Sequence, residues 1–569
     1  MKKYLVILLL LIACPAWGAT YYVRADGTVT AANKALATSP ETANTALSRP
    51  QVNAATFSPG DYVLFSSQGG VYATSAAGLV IPSSGDVGGR ITYANVPGES
   101  PVLQGTITST ISIAAKSYVN IGGFIINNQA TNDYSNAISI TGTTDNINIY
   151  DIAATMSSEQ PHRYIITSSG NSSNVEIDNI TSTGASGKDI YFYGTTNSSI
   201  SLSNVTTSGL GVKIANTDNV TIEDIVANNT GDTAVELVSC SGTLNVDTIT
   251  STSSIYGGLS FTSCAFSDGV VSNSIVTDSG TSAFYAINSS GITFNNCESI
   301  NSGGYAFFND EGSHDITYNH CTGDNSAYAV YWVEDDAYNI TYNYCTAVNG
   351  SGDGFGVMNS AHDITYNHCQ ASYNGDITTT SEGDGFTAHL TNYNIFYYYC
   401  VSHHNTAAGF GFGGNSSGIV YNSISYANGG DWTSEGGVTQ VRSGFYLPLA
   451  GVNPTTGASW TLKNNISYGN YPAELYANTY PTYDYNIYYP LDNSKLVNNG
   501  NGTYTSWDDY HAAHEEHSIN SDPKFISSTN FHLQSDSPAR GAGVNVGLSN
   551  TNPPDIGAEP YKQYVPWMK

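Results

Sequence analysis

The chain has 569 residues, only 11% of them charged, and a formal net charge of −29 from 46 Asp+Glu against 17 Lys+Arg. That balance excludes nucleic acid and anionic membrane surfaces as partners, since both need basic contacts, and it disfavours a polyanionic substrate unless a divalent cation intervenes. The length exceeds one compact core, a limit that a repeat growing along one axis escapes.

Residues 1–18 are read as an export signal. Lys2 and Lys3 precede an apolar run, Leu5–Ala13, too short to span a bilayer. Two processing sites fit. Leu11-Ile12-Ala13-Cys14 matches a bacterial lipobox and would put a lipid anchor on Cys14. Ala16-Trp17-Gly18 suits cleavage before Ala19. No other segment reads as a transmembrane segment. The predicted location is extracytoplasmic: secreted, periplasmic or on the outer-membrane surface.

Residues 19–110 are predicted to form an N-terminal cap and the first coils, with strands at TYYV and PGDYVLF. Residues 111–475 are predicted to be a parallel solenoid. SYVNIGGFIINN opens it, and NINIYDI, NVEIDNI, NVTIEDI and TLNVDTI set Ile or Val beside Asn or Asp.

From residue 281 the register becomes strict. Segments begin at Thr281, Tyr305, Ala329, Asp353, Asp384, Ala408 and Ser443, and four of the six steps are 24 residues. Alternating β-branched and aromatic residues with Gly/Asn turns, and no 3.6-residue period, specify a strand-and-turn coil. Equal offsets then stack about 4.8 Å apart. One column reads Ile292, Ile316, Ile340, Ile364, Ile395, Ile419. A second reads Phe294, Tyr318, Tyr342, Tyr366, Tyr397, Tyr421. A third reads Cys297, Cys321, Cys345, Cys369, Cys400, Ile424. The cysteines are expected to be buried thiols, because stacked Cβ vectors run parallel. Asn295, Asn319, Asn343, Asn367 and Asn422 are expected to form an asparagine ladder. His314/His362 and His320/His368, alternating with tyrosines, are expected to form surface ladders. Insertions at 377–383 and 432–442 fall at one corner and are expected to wall one face. Residues 476–569 are predicted to cap the stack.

TYYV, GGFIINN, the NITYNYCTA coils and the closing DPKF, FHL, SPARGAG and DIGAEPY together resemble the bacterial right-handed parallel β-helix family, related in fold to pectate lyases and other polysaccharide-processing enzymes. The resemblance implies an all-β, right-handed parallel β-helix and a polysaccharide as the partner. It does not choose among lyase, hydrolase and non-catalytic surface protein, because the fold hosts all of them. A monomer is expected.

Phe307, Tyr331, Phe355, Phe386, Phe410 and Phe445 form an inward aromatic column. The next outward column carries Phe308, Trp332 and Tyr446, read as substrate-binding aromatics, with Trp332 either stacking on sugar or lying under a loop. Asp310 and Glu334 follow on adjacent coils, at a spacing that suits a retaining hydrolase. His389 and Arg442 are the candidate bases for a lyase, which in this fold usually uses Lys or Arg. No Lys lies between Lys213 and Lys463, and Arg442 is the only Arg there. Asp353 and Asp384 sit in GDGF turns of neighbouring coils, and with Asp376 and Glu382 they gather enough oxygen at one corner to suggest Ca²⁺. Pectate lyases of this fold are similar in holding Ca²⁺ with clustered carboxylates. The alternative is that these aspartates only cap turn amides.

Overall fold

A computed structural model describes residues 18–557 apart from 75–77, 107, 131–134, 157–162, 185–186, 377–382, 430–431, 434–438, 441–442, 448–458, 478–482, 491–495, 499–503 and 549–552. The apolar signal core and Cys14 lie outside the described residues, as do Glu382 and Arg442. The chain forms two compact units, Met1–Ile255 with Cys264–Ser267, and Tyr256–Ser263 with Asp268–Lys569. No helix among the described residues is long and apolar enough to cross a membrane.

The first unit begins with strand Thr20–Val23, paired in parallel with Tyr62–Phe65. A short helix, Arg49–Ala54, has its proline in the first turn, where no amide is needed. Long strands then stack in parallel. Ile121, Ile149, Ile177, Leu202, Ile222 and Val246 share one column, each fully buried or nearly so. On a second sheet Ile138, Ile166, Ile190, Val212 and Val235 do the same. The Asn and Asp beside these isoleucines are bends. Asp151, Asn179, Asn204 and Asp224 have φ of 50–53°, a left-handed conformation that these two residue types tolerate best. Their side chains also bond between coils, Asn179 Nδ2 donating to Asp151 Oδ1 at 2.6 Å.

The second unit repeats the same plan with shorter strands. Phe284, Phe307, Tyr331, Phe355, Phe386 and Phe410 stack face to face with centroids 4.5–5.0 Å apart. Phe294, Tyr318, Tyr342, Tyr366 and Tyr397 stack at 4.7–4.9 Å and meet the first column edge-on. These two columns are its core, and their spacing is the distance between paired strands. All seven described cysteines are buried thiols outside any disulfide. Cys321 to Cys400 each lie 3.4–3.6 Å from a carbonyl of the preceding coil.

The expected ladders are present up to Tyr399. His314, Tyr338, His362 and Tyr393 stack at 4.5–5.3 Å, and His320, Tyr344, His368 and Tyr399 at 4.7–5.0 Å. Asn319, Asn343 and Asn367 each donate to the asparagine before them.

Beyond Cys400 the expected register is wrong by one residue. Ile395 pairs with Gly418, Tyr397 with Val420, and Val401 with Ile424. The connection after Phe410 is one residue shorter than that after Phe386, so Ile419 and Tyr421 leave the core columns and Val420 enters. Trp460, paired with Gly418 on the next coil, stacks 3.7 Å from Phe412 and fills the space an isoleucine would have taken. Asn422 therefore leaves the asparagine ladder. Its amide donates to the carbonyls of Asp555 and Gly557 and ties down the C-terminal segment. That segment places Phe525, Phe531 and Ile556 in a cluster over Ile424, Ile466 and Ile487.

Two buried amide ladders run along the C-terminal coils. Asn374 donates through N and Nδ2 to Asn405 Oδ1, Asn405 to Asn428, and Asn428 to Asn470. Asn470 donates to both carboxylate oxygens of buried Glu474, at 3.1 and 2.7 Å. The second ladder passes from Asn465 to Asn486 and ends on buried Glu515, which also accepts from Ser518, Tyr488 and Tyr510.

Candidate functional site

The outward column follows from the inward one. Alternation along each strand turns Phe308, Trp332, Gly356, Thr387, Gly411 and Tyr446 to the face opposite the stacked core rings, and strand pairing sets them side by side. The Trp332 indole is parallel to the Tyr305 ring, 5.7 Å away. Tyr305 in turn stacks on Phe308 at 4.8 Å and tilts against exposed Tyr328. Cζ3 and Cε3 of Trp332 occupy the space where Gly356 would carry a Cβ. Trp332 is thereby covered to 9% exposure, while Phe308 and Tyr305 stay partly exposed.

Trp332 Nε1 donates to Glu334 Oε2 at 2.9 Å. Burial raises the Glu334 carboxyl above its ordinary pKa, opposed by the Trp332 hydrogen bond and reinforced by the charges of Asp310 and Asp335. Asp310 ends the strand Phe307–Asp310, and the adjacent coil places Glu334 directly after Tyr331–Val333, one step past the Asn309–Val333 pair. Asp310 is also raised, by burial first and then by Asp335 and Glu311. Tyr305 is pushed up to about 12 by burial and by Glu334, Tyr328, Asp310 and Asp353.

The turns after these strands line a groove of about 760 Å³ with Glu311, Gly312, Asp335, Asp336, Asn359, Ser360, Leu390 and Thr391. Each coil turns here through left-handed residues, among them Glu311, Asp335, Asp336 and Asn359 with φ of 50–60°.

The remaining expected residues are placed apart. Asp353 Oδ1 accepts the Asp384 amide at 2.8 Å, and Asp384 Oδ1 accepts the Ala408 amide at 2.7 Å. Each aspartate therefore caps the next coil with one oxygen. Asp376 is half-buried, its amide donating to Ser351 O at 3.2 Å. Among the described residues no three His, Cys, Asp or Glu side chains gather to hold a metal ion, and Glu382, the fourth expected ligand, lies outside them. Asp384 lies over Gly411, and the His389 ring over Gly413. His389 sits two coils beyond Glu334, about 10 Å along the stack. Tyr446 packs on Tyr476 at 4.7 Å, further along again. The geometry brings together Asp310, Glu334, Trp332 and Phe308. Tyr305 and Tyr328 join them, and their only sequence signal was an aromatic residue at the coil corner.

Residues 256–394 match the family described as the right handed beta helix region. No curated protein sequence matches the chain. Among solved structures, a lacto-N-biosidase from Eubacterium ramulus is similar at 11% identity over 61% of this chain and 68% of that one, with a TM-score of 0.42. A mannuronan C-5 epimerase module from Azotobacter vinelandii is similar at 11% identity over 68% and 91%, with a TM-score of 0.34. Pectate lyase Pel9A is similar at 15% identity over 96% and 97%, with a TM-score of 0.26.

Proposed function

We infer that this chain, a right-handed parallel β-helix, is an exported polysaccharide-processing enzyme, a glycoside hydrolase whose reacting groups are Glu334 and Asp310. One observation carries the reading: two carboxyls on adjacent coils, both held above their usual range, with Glu334 oriented by the Trp332 indole. Retaining glycosidic cleavage needs one carboxyl kept protonated as the acid, the role for which burial suits Glu334, beside a second that acts as nucleophile.

In the proposed reaction an oxygen of Asp310 bonds to the anomeric carbon as the bond to the leaving sugar breaks. The Glu334 proton goes to the leaving oxygen. Glu334, now ionised, takes a proton from water, which attacks the same carbon and releases Asp310. Adjacent coils about 4.8 Å apart support this retaining form, because inversion needs room for a water between the carboxyls. Phe308, Tyr305 and Tyr328 offer aromatic faces to sugar rings. Trp332, being covered, positions Glu334. Elimination is less well supported, since His389 stands two coils away. No step of the proposal runs through a cation.

The test is a panel of neutral, amino-bearing and acidic polysaccharides, read for reducing ends and for unsaturated-uronate absorbance. Reducing ends without unsaturation, lost in Glu334→Gln, are expected. Unsaturated ends would establish a lyase. Binding without cleavage across the panel would establish a carbohydrate-binding surface protein.

A further inference from the structure

The charge around the proposed reacting pair is one-sided. Glu311, Asp335 and Asp336 line the groove beside Asp310 and Glu334, all three exposed. On the same face the aspartates at 353 and 384 are tied to backbone amides. Between Lys213 and Lys463 the sequence offers one cationic side chain that stays charged, Arg442, and it lies outside the described residues. No Lys or Arg among the described residues lines this groove.

Turn geometry does not demand these carboxylates. The equivalent corner of the next coil uses Asn359 and Ser360 at the same left-handed φ, and asparagine serves such positions without charge. At Glu311 and Asp335 the chain instead accepts repulsion that reaches Asp310, and the Asp335 charge also reaches Glu334. A uronate at this end of the groove would meet like charges on two adjacent coils, from Glu311 and from Asp335 and Asp336, whereas a protonated amine would relieve them. Asn359, Ser360 and Thr391 supply neutral hydrogen-bonding groups for sugar hydroxyls along the same groove.

We propose that the site takes an amine-bearing glycan, a polymer of unacetylated hexosamine, with Glu311, Asp335 and Asp336 as the groups that recognise the ammonium, and that it rejects polyuronates. The proposal rests on the reading of Asp310 and Glu334 as the reacting pair.

The experiment measures dissociation constants of the full chain for three hexamers: glucosamine, N-acetylglucosamine and galacturonate, the last with EDTA. A second protein carries Asp335→Asn and Asp336→Asn, which keep the turn shape. At about pH 6 and low salt the glucosamine hexamer is expected to bind about tenfold more tightly than its acetylated counterpart. That advantage is expected to vanish in the double variant and at about 0.5 M salt. Equal affinity for the two hexosamine polymers, or tighter binding of galacturonate, overturns the proposal and leaves the hydrolase reading standing. An advantage that persists undiminished in the double variant overturns the assignment to Asp335 and Asp336. Failure of all three to bind overturns both.

Discussion

The Trp332 indole rests on Gly356 of the following coil, in the space that any other residue at 356 would fill with its Cβ. Gly356→Ala is therefore predicted to push the indole off its seat and break its hydrogen bond to Glu334. Overpacking of this kind costs about 1–3 kcal/mol. Oligosaccharide titration with tryptophan fluorescence should show a shifted indole environment, and turnover about tenfold lower or worse, with the far-ultraviolet dichroism unchanged.

Glu334 is raised by burial first, then by Asp310 and Asp335, so it stays protonated above the usual carboxyl range. Activity is predicted to fall on the alkaline side as Glu334 loses its proton. Glu334→Gln should remove that limb of the profile and lower the rate by about 10²–10⁴-fold. A profile whose alkaline limb survives the substitution would assign the acid elsewhere.

The stereochemistry of the product is a separate check. Adjacent-coil placement of Asp310 and Glu334 predicts retention at the anomeric carbon. Nuclear magnetic resonance of the first-formed product distinguishes the two outcomes, and an inverted product would remove Asp310 from the role of nucleophile.

Added Ca²⁺ or EDTA is predicted to leave both activity and melting temperature unchanged, because Asp353 and Asp384 each commit an oxygen to a backbone amide. A melting temperature that rises with Ca²⁺ and falls again in EDTA would reinstate the acidic corner as a cation site.

Buried Glu474 has its pKa raised to about 8, as burial outweighs the hydrogen bonds from Asn470 and Ser467. The unfolded value is near the ordinary 4.5, so the folded state binds more protons in between. Stability from this group is therefore fully present below about pH 4.5 and is lost as pH rises toward 8. Denaturant titration should show a decline over that window, of roughly 1–4 kcal/mol. Glu474→Gln should flatten it.

The fold was legible because each column repeats a side-chain type at a fixed offset. The phenylalanines from Phe307 to Phe410 and the cysteines from Cys297 to Cys400 could be placed before any coordinates. The register failed after Cys400 because Ile419, Tyr421 and Ile424 imitate the column types one position out of phase. Only the loss of a residue in the preceding turn, and Trp460 reaching in from the next coil to pair with Gly418, reveal the true pairing. For the site, Asp310, Glu334 and Phe308 were legible from offset alone. Tyr305 was not, since its part depends on the ring tilt at a corner. Nor were the glycines at 356, 411 and 413, whose part is to leave room for a neighbour's side chain. Such an absence leaves no mark on a periodic pattern.

An asparagine side chain can both receive and hand on a hydrogen bond, so a ladder of them is a sentence that could continue indefinitely. A buried glutamate has two oxygens and no amide, so it takes the last amides of a row and offers none of its own. By closing one amide row on Glu474 and the other on Glu515, the chain writes a full stop at the end of each. Each amide row thus ends where its glutamate falls.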